Sequence, residues 1–150
     1  MIEIIRTTSD NADFRMQVTL LDRDLQIRDG EEHAFYAQFN KSGSIKHAVV
    51  AYKDGIPAGS GAFREYAADC VEIKRMFVKP EYRGLGIATS VLTELELWAK
   101  ELNFRACILE TGKKQPEAIA LYQKAGYTII PSYGQYKNIE NSVCMKKEIK

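Results

Sequence analysis

The stretch VKPEYRGLGIATSVL, residues 78–92, decides how the rest of the chain is read. A hydrophobic run ends at Val78, Pro80 stops it, and Arg83-Gly84-Leu85-Gly86 leads into an amphipathic segment. Ile87, Val91, Leu95, Trp98 and Leu102 then recur at spacings of three and four, which predicts one apolar face of a helix. A strand that hands over to a helix through two glycines has two readings. The turn is simply tight, or backbone N–H groups and the positive end of the helix dipole are bared to an anion such as phosphate. Gly84 and Gly86 suit the second reading, because each takes open dihedrals and neither puts a Cβ in the way of a phosphate.

Working outward, MIEIIR reads as a first strand and residues 9–25, SDNADFRMQVTLLDRDL, as a helix. Its Ser and Asp residues suit capping, and Phe14, Val18, Leu21 and Leu25 follow a helical period. GEEHAFYAQFN, residues 30–40, reads as a second, shorter helix. IKHAVVAYK, a turn at Asp54-Gly55, PAGSGAFREYA, a turn at Ala68-Asp69, and CVEIKRMFV form a three-stranded meander closed by Pro80. After the residue 87–102 helix come a strand, RACILET, and a helix, QPEAIALYQKAG, with Pro116 at its first turn and Gly126 as its C-terminal cap. YTIIP and SVCMKKEI are two closing strands around an aromatic loop, SYGQYKN. This order predicts one domain over residues 1–150, an α+β or α/β three-layer fold with a mixed sheet covered by helices.

Composition narrows the function classes. Lys+Arg 21 against Asp+Glu 20 leaves a net charge of +1, with no basic footprint for nucleic acid. The opening residues carry no long apolar core of a leader and no run approaches a membrane span, so the expectation is a soluble, cytoplasmic chain with no membrane partner. Cys70, Cys107 and Cys144 are widely spaced within apolar segments and read as buried thiols; no CxxC pair offers a metal site, and no metal is expected.

Among phosphate binders, a Walker loop requires Lys-Ser/Thr after its last glycine, which is missing after Gly86. A dinucleotide fold requires a third glycine where Thr89 stands. Arg83 to Ala88, RGLGIA, instead fits the [Q/R]-x-x-G-x-[G/A] loop of the GNAT superfamily of acyl-CoA-dependent N-acetyltransferases. VEIKRMFVKPEYRGLGIATSVL resembles that superfamily's fourth strand, pyrophosphate loop and following helix, and ILETGKKQPEAIALYQKAGYTII resembles its fifth strand, fourth helix and sixth strand. The resemblance runs from about residue 46 to 130. It implies a mixed, mostly antiparallel sheet of about seven strands with flanking helices and a splay between the fourth and fifth.

It also implies an enzyme with acetyl-CoA as co-substrate. The CoA pyrophosphate is expected on the amides of Arg83, Gly84, Leu85, Gly86, Ile87 and Ala88, with Thr89 beside them. The pantetheine arm is expected to pair with the backbone of Met76, Phe77 and Val78, where its amides find ladder partners. Tyr122 matches the family tyrosine near the CoA sulfur, a candidate general acid; a core tyrosine on the helix face beside Ile119 and Ala118 is the competing reading. Glu72 matches a strand position that supplies a general base in some members; strict alternation also puts it on one face with Lys74, so a surface ion pair is the competing reading. Where the family often has Asn to touch the CoA arm, this chain has Gln115, followed by Pro116.

Glu110 and Thr111 end the fifth strand where the sheet opens, placing a carboxylate to orient an amine or relay its proton through water; capping of the helix that follows is the competing reading. Tyr133 and Tyr136 are expected to wall the acceptor pocket from one side, and Phe35, Tyr36 and Phe39 from the other. His33 and His47 stand apart from any partner pattern. The expected activity is acetylation of a small-molecule amine such as an amino acid, polyamine or antibiotic-like molecule. Alternatives are a protein lysine or N-terminal acetyltransferase, or a non-catalytic acyl-CoA-binding module. Members of the family often pair as homodimers, so a second copy is a further candidate partner.

Overall fold

The computed structural model describes residues 1–29 and 45–149; the helix expected over residues 30–40, with His33, Phe35, Tyr36 and Phe39, lies outside them. Among the described residues the strands are β1 (Ile2–Thr7), β2 (His47–Lys53), β3 (Ile56–Ala67), β4 (Cys70–Val78), β5 (Ala106–Gly112), β6 (Thr128–Ile130) and β7 (Ser142–Glu148). The α-helices are α1 (Ala12–Asp29), α2 (Ile87–Glu101) and α3 (Pro116–Lys124). One 7-stranded sheet runs β1-β2-β3-β4-β5-β7-β6. Every neighbouring pair is antiparallel except β4 and β5. That parallel pair is in register only at Cys70–Ala106, Val71–Cys107 and Glu72–Ile108, so the sheet splays beyond Glu72 as expected.

Alternation in β2 shows how the layers form. Val49 and Ala51 join Val91, Leu92 and Leu95 of α2 in one core, while Ala48 and Val50 join Phe14 and Val18 of α1 in the other. Each fully buried Val or Leu contributes about 1.5–3 kcal/mol relative to exposure. α2 approaches the sheet closely because two positions of β3 carry no side chain. A Cβ on Gly59 would lie 2.9 Å from Ile87 Cγ2, and one on Gly61 would lie 2.5 Å from Met76 Sδ and 2.9 Å from Leu95 Cδ1 and Val91 Cγ1.

Local signals resolve as follows. The α1 cap is Asn11, whose Oδ1 accepts from Phe14 N at 3.0 Å, while Ser9 Oγ instead accepts from Ile45 N. Leu102 was expected on the apolar face of α2 but caps its end at 43 % exposure; Leu92 and Ala99 complete that face. Pro116 opens α3, and Gly126 follows it at φ 103°. Asp54 and Gly55, at φ 52° and 83°, make the predicted hairpin turn. His47 is a packing residue, stacked 4.7 Å from the Phe63 ring with the Trp98 ring edge-on at 4.8 Å. Among the described residues no helix is long and apolar enough to cross a membrane.

Candidate active site

The loop quoted at the outset leaves β4 through a short 3-10 turn, Pro80–Tyr82, and enters α2 at Ile87. Gly84 and Gly86 sit at φ 83° and 80°, the left-handed region that a Cβ disfavours, yet a Cβ on either would meet nothing within 4 Å. The glycines therefore serve the backbone's course and the open space above it, with no protein neighbour demanding them. The first bond of α2 is Ser90 N to Gly86 O, which leaves the amides of Ile87, Ala88 and Thr89 without intrahelical partners. Ile87 anchors this end in the core at 1 % exposure, while Leu85 turns outward at 52 %. Arg83 folds back from the rim: its Nε donates to Val78 O at 2.9 Å and its guanidinium lies 5.7 Å from the Phe77 ring centre. Bare amides at a helix start, with clear space before them, fit a pyrophosphate.

One chamber adjoins this loop and a second lies beyond it along β4 and β5. The larger, about 340 Å³, lies between the end of β4, residues 82–89 and α3, and is lined by Met76, Phe77, Val78, Gly84, Gly86, Ala88 and Thr89. The smaller, about 110 Å³, is lined by Glu72, Lys74, Arg75, Glu110, Thr111 and Tyr136. Leu21, Met76, Gln115, Ala118 and Tyr122 line both, so Tyr122 and Gln115 stand where the chambers meet. Tyr122 is 6 % exposed, and burial, with the nearby Glu110 charge, pushes its pKa well above that of an ordinary phenol. It keeps its proton at neutral pH and can donate it.

Glu72 is buried, and the expected pairing with Lys74 is real but lies inside the protein, not on the sheet surface. Lys74 Nζ is 3.5 Å and Arg64 Nε 3.7 Å from Oε1, while the Tyr133 hydroxyl donates to Oε2 at 2.7 Å. Tyr133 is thus a tether from its loop to β4, and it is Tyr136, at 3 % exposure, that walls the smaller chamber. The Tyr133 ring also meets Tyr66 and Tyr136 edge-on at 5.1 and 5.5 Å. Phe35 lies outside the described residues.

Sequence reasoning missed Lys74 and Arg75 as chamber residues. Strict alternation assigns them opposite faces, but the pairing of β3 with β4 slips between Ser60 and Ala62, and Arg75 adopts φ 60°. This bulge sends Arg75 towards α1, where Nη1 meets Asp22 Oδ1 at 2.9 Å. Gly61 lies opposite the bulge, between the Ser60–Phe77 and Ala62–Lys74 pairs, but its missing side chain answers to the close packing of Met76, Val91 and Leu95 and does not announce a bulge. Among the described residues no group of three or more His, Cys, Asp or Glu side chains could hold a metal ion.

Comparison with known proteins bears directly on this arrangement. The family model for the Acetyltransferase (GNAT) family matches residues 14–127. The IAA acetyltransferase of Azospirillum brasilense is 35% identical over 102 residues, 67% of each chain. A structure from Klebsiella pneumoniae described as an acyl-CoA N-acyltransferase superposes with a TM-score of 0.83 at 26% identity, covering 100% of this chain and 99% of that one. The PaiA N-acetyltransferase of Thermoplasma acidophilum, solved in complex with coenzyme A, shares the fold at a TM-score of 0.73 and 18% identity, over 99% of both chains. With a family model spanning most of the sequence and a splayed sheet of the matching topology, this chain belongs to the GNAT family and is an acetyl-CoA-dependent acyltransferase.

Proposed function

We propose that the enzyme moves the acetyl group of acetyl-CoA onto a primary amine of a small molecule. What supports this is the junction of the two chambers at Met76, Gln115 and Tyr122, one of about 340 Å³ behind the glycine loop and one of about 110 Å³ beside it. The amides of residues 84–89 would hold the pyrophosphate, and Gln115 would touch the pantetheine arm. That arm would pair with the strand edge at Met76 and Phe77, since Arg83 already binds Val78 O. The smaller chamber suits a compact acceptor; a protein lysine asks for an open groove.

When bound, acetyl-CoA supplies its acetyl group as a thioester: the C–N bond forms as the C–S bond breaks, nitrogen sheds a proton and sulfur gains one. Tyr122, kept protonated by burial, donates to the sulfur. Glu110, on the opposite wall, takes the amine's proton directly or through water. Glu72 has both oxygens engaged by Tyr133, Lys74 and Arg64, so it orders the chamber wall rather than serving as the base expected of it.

Calorimetric titration with acetyl-CoA, followed by thiol release across a panel of amines and peptides, tests the reading. Binding with thiol release on small amines is expected. Turnover confined to peptides, or binding with no turnover on any amine, would overturn it.

A further inference from the structure

We propose that the acceptor is an amine that also carries a carboxylate, an amino acid or a close chemical relative, and not a polycation. This rests on the amine acetylation proposed above. The smaller chamber has buried cations on consecutive positions of one strand, Lys74 at 9% exposure and Arg75 at 7%. A regular strand would send one of them to the other face. The left-handed Arg75, φ 60°, breaks that alternation and brings both to the chamber that also holds Glu72.

Holding two cations away from water is costly unless they do something there. Each has a carboxylate partner, Glu72 at 3.5 Å for Lys74 and Asp22 at 2.9 Å for Arg75, and burial still lowers the pKa of both. Among the described residues, the ion pairs at this wall bring three cations, Lys74, Arg75 and Arg64, to two carboxylates, Glu72 and Asp22, with Arg64 3.7 Å from Glu72. Across the splay, β5 contributes Glu110, near the junction with Tyr122.

A molecule spanning this chamber of about 110 Å³ would set an anionic group against Lys74 and Arg75, and its amine towards Glu110 and the thioester. An α-amino or short ω-amino acid has that length and polarity. A polyamine would place a second ammonium against Lys74 or Arg75 with little water to screen it. The reaction balances as before: the free amine forms the C–N bond, the C–S bond breaks, and the proton shed by nitrogen is matched by the one gained at sulfur.

The test uses matched pairs that differ only in the carboxylate: phenylalanine against phenethylamine, lysine against cadaverine, with spermidine as the polycation. Thiol release is measured with rates corrected for the fraction of free base. The amino acid should exceed its decarboxylated partner in kcat/KM by roughly tenfold or more, the worth of one charge-assisted contact. Lys74→Met should collapse that ratio. Because removing Lys74 alone strains Glu72, the double variant Glu72→Gln/Lys74→Met is measured beside it and should lose the preference too. Equal or faster turnover of phenethylamine, cadaverine or spermidine overturns this inference and leaves amine acetylation standing. Failure of every amine to react sinks amine acetylation instead. Calorimetry on the CoA-saturated protein then still decides the present point: tighter binding of phenylalanine than phenethylamine upholds it, and equal binding overturns it.

Discussion

Glu72→Gln isolates what the buried network does. In the native protein Lys74 and Glu72 face each other at 3.5 Å with side chains 7% and 4% exposed. The amide can still accept from Tyr133 but leaves Lys74 buried beside Arg75 without its carboxylate. Breaking a buried pair by removing one partner costs about 3–5 kcal/mol, which for a chain of this size lowers Tm by roughly 6–20 °C. The pH dependence follows from Lys74, whose native pKa already lies below its ordinary value because of burial, with Glu72 pulling it back up. Between the native and unfolded pKa the unfolded chain binds more protons, so stability rises with pH there. Removing Glu72 extends that window downward, so below the parent's own native Lys74 pKa the variant should gain stability with rising pH more steeply than the parent. Urea unfolding at several pH values measures both effects. Glu72→Gln/Lys74→Met, with both charges gone, should recover most of the loss. A deficit under about 1 kcal/mol, or parallel pH curves for variant and parent, would refute this account of the pair.

Other consequences are as direct. Tyr122→Phe should lower kcat on the order of 10²-fold while the dissociation constant for CoA changes little; a large loss of CoA affinity would mark the hydroxyl as a binding group. A Cβ added at Gly86 meets no protein atom within 4 Å but sits at φ 80° in front of the bare amides, so Gly86→Val should weaken CoA binding by roughly tenfold or more; unchanged affinity by calorimetry would remove the loop from the CoA site. Gly61→Ala drives a Cβ to 2.5 Å from Met76 Sδ, a cost of about 1–3 kcal/mol. Thermal unfolding should show it, and Met76→Ala added to it should relieve part of the loss; additive effects would place the clash elsewhere.

The parts of the fold that repeat locally could be read in the chain itself. α2 declares itself through Ile87, Val91 and Leu95 because a helix face is a matter of spacing, and all three are buried. Asn11 was missed as a cap because Ser9, Asp10 and Asn11 are all competent acceptors and only the geometry of the first turn selects among them. The bulge at Arg75 left no mark of its own, since an arginine is an unusual choice for a left-handed backbone. Its consequence, Lys74 and Arg75 in one chamber, was hidden with it. Tyr133 was placed in the right loop, but its bond to Glu72 spans 61 positions. No periodicity connects residues that far apart; the pairing exists only once β4, β5 and β7 are assembled.

The three registered pairs between β4 and β5 have a mechanical meaning. Strands β1 to β4 form one plate and β5 to β7 another, riveted at one end only, so the free ends are two sheet edges facing each other inside the molecule. An extended, amide-bearing molecule lodged there would act as a missing rung, stiffening the join between plates while it is present. Each catalytic cycle would then alternate a braced sheet with an unbraced one. The backbone amides of Met76 and Phe77 and of Glu110 to Gly112 should exchange with solvent more slowly when CoA is bound than when it has left.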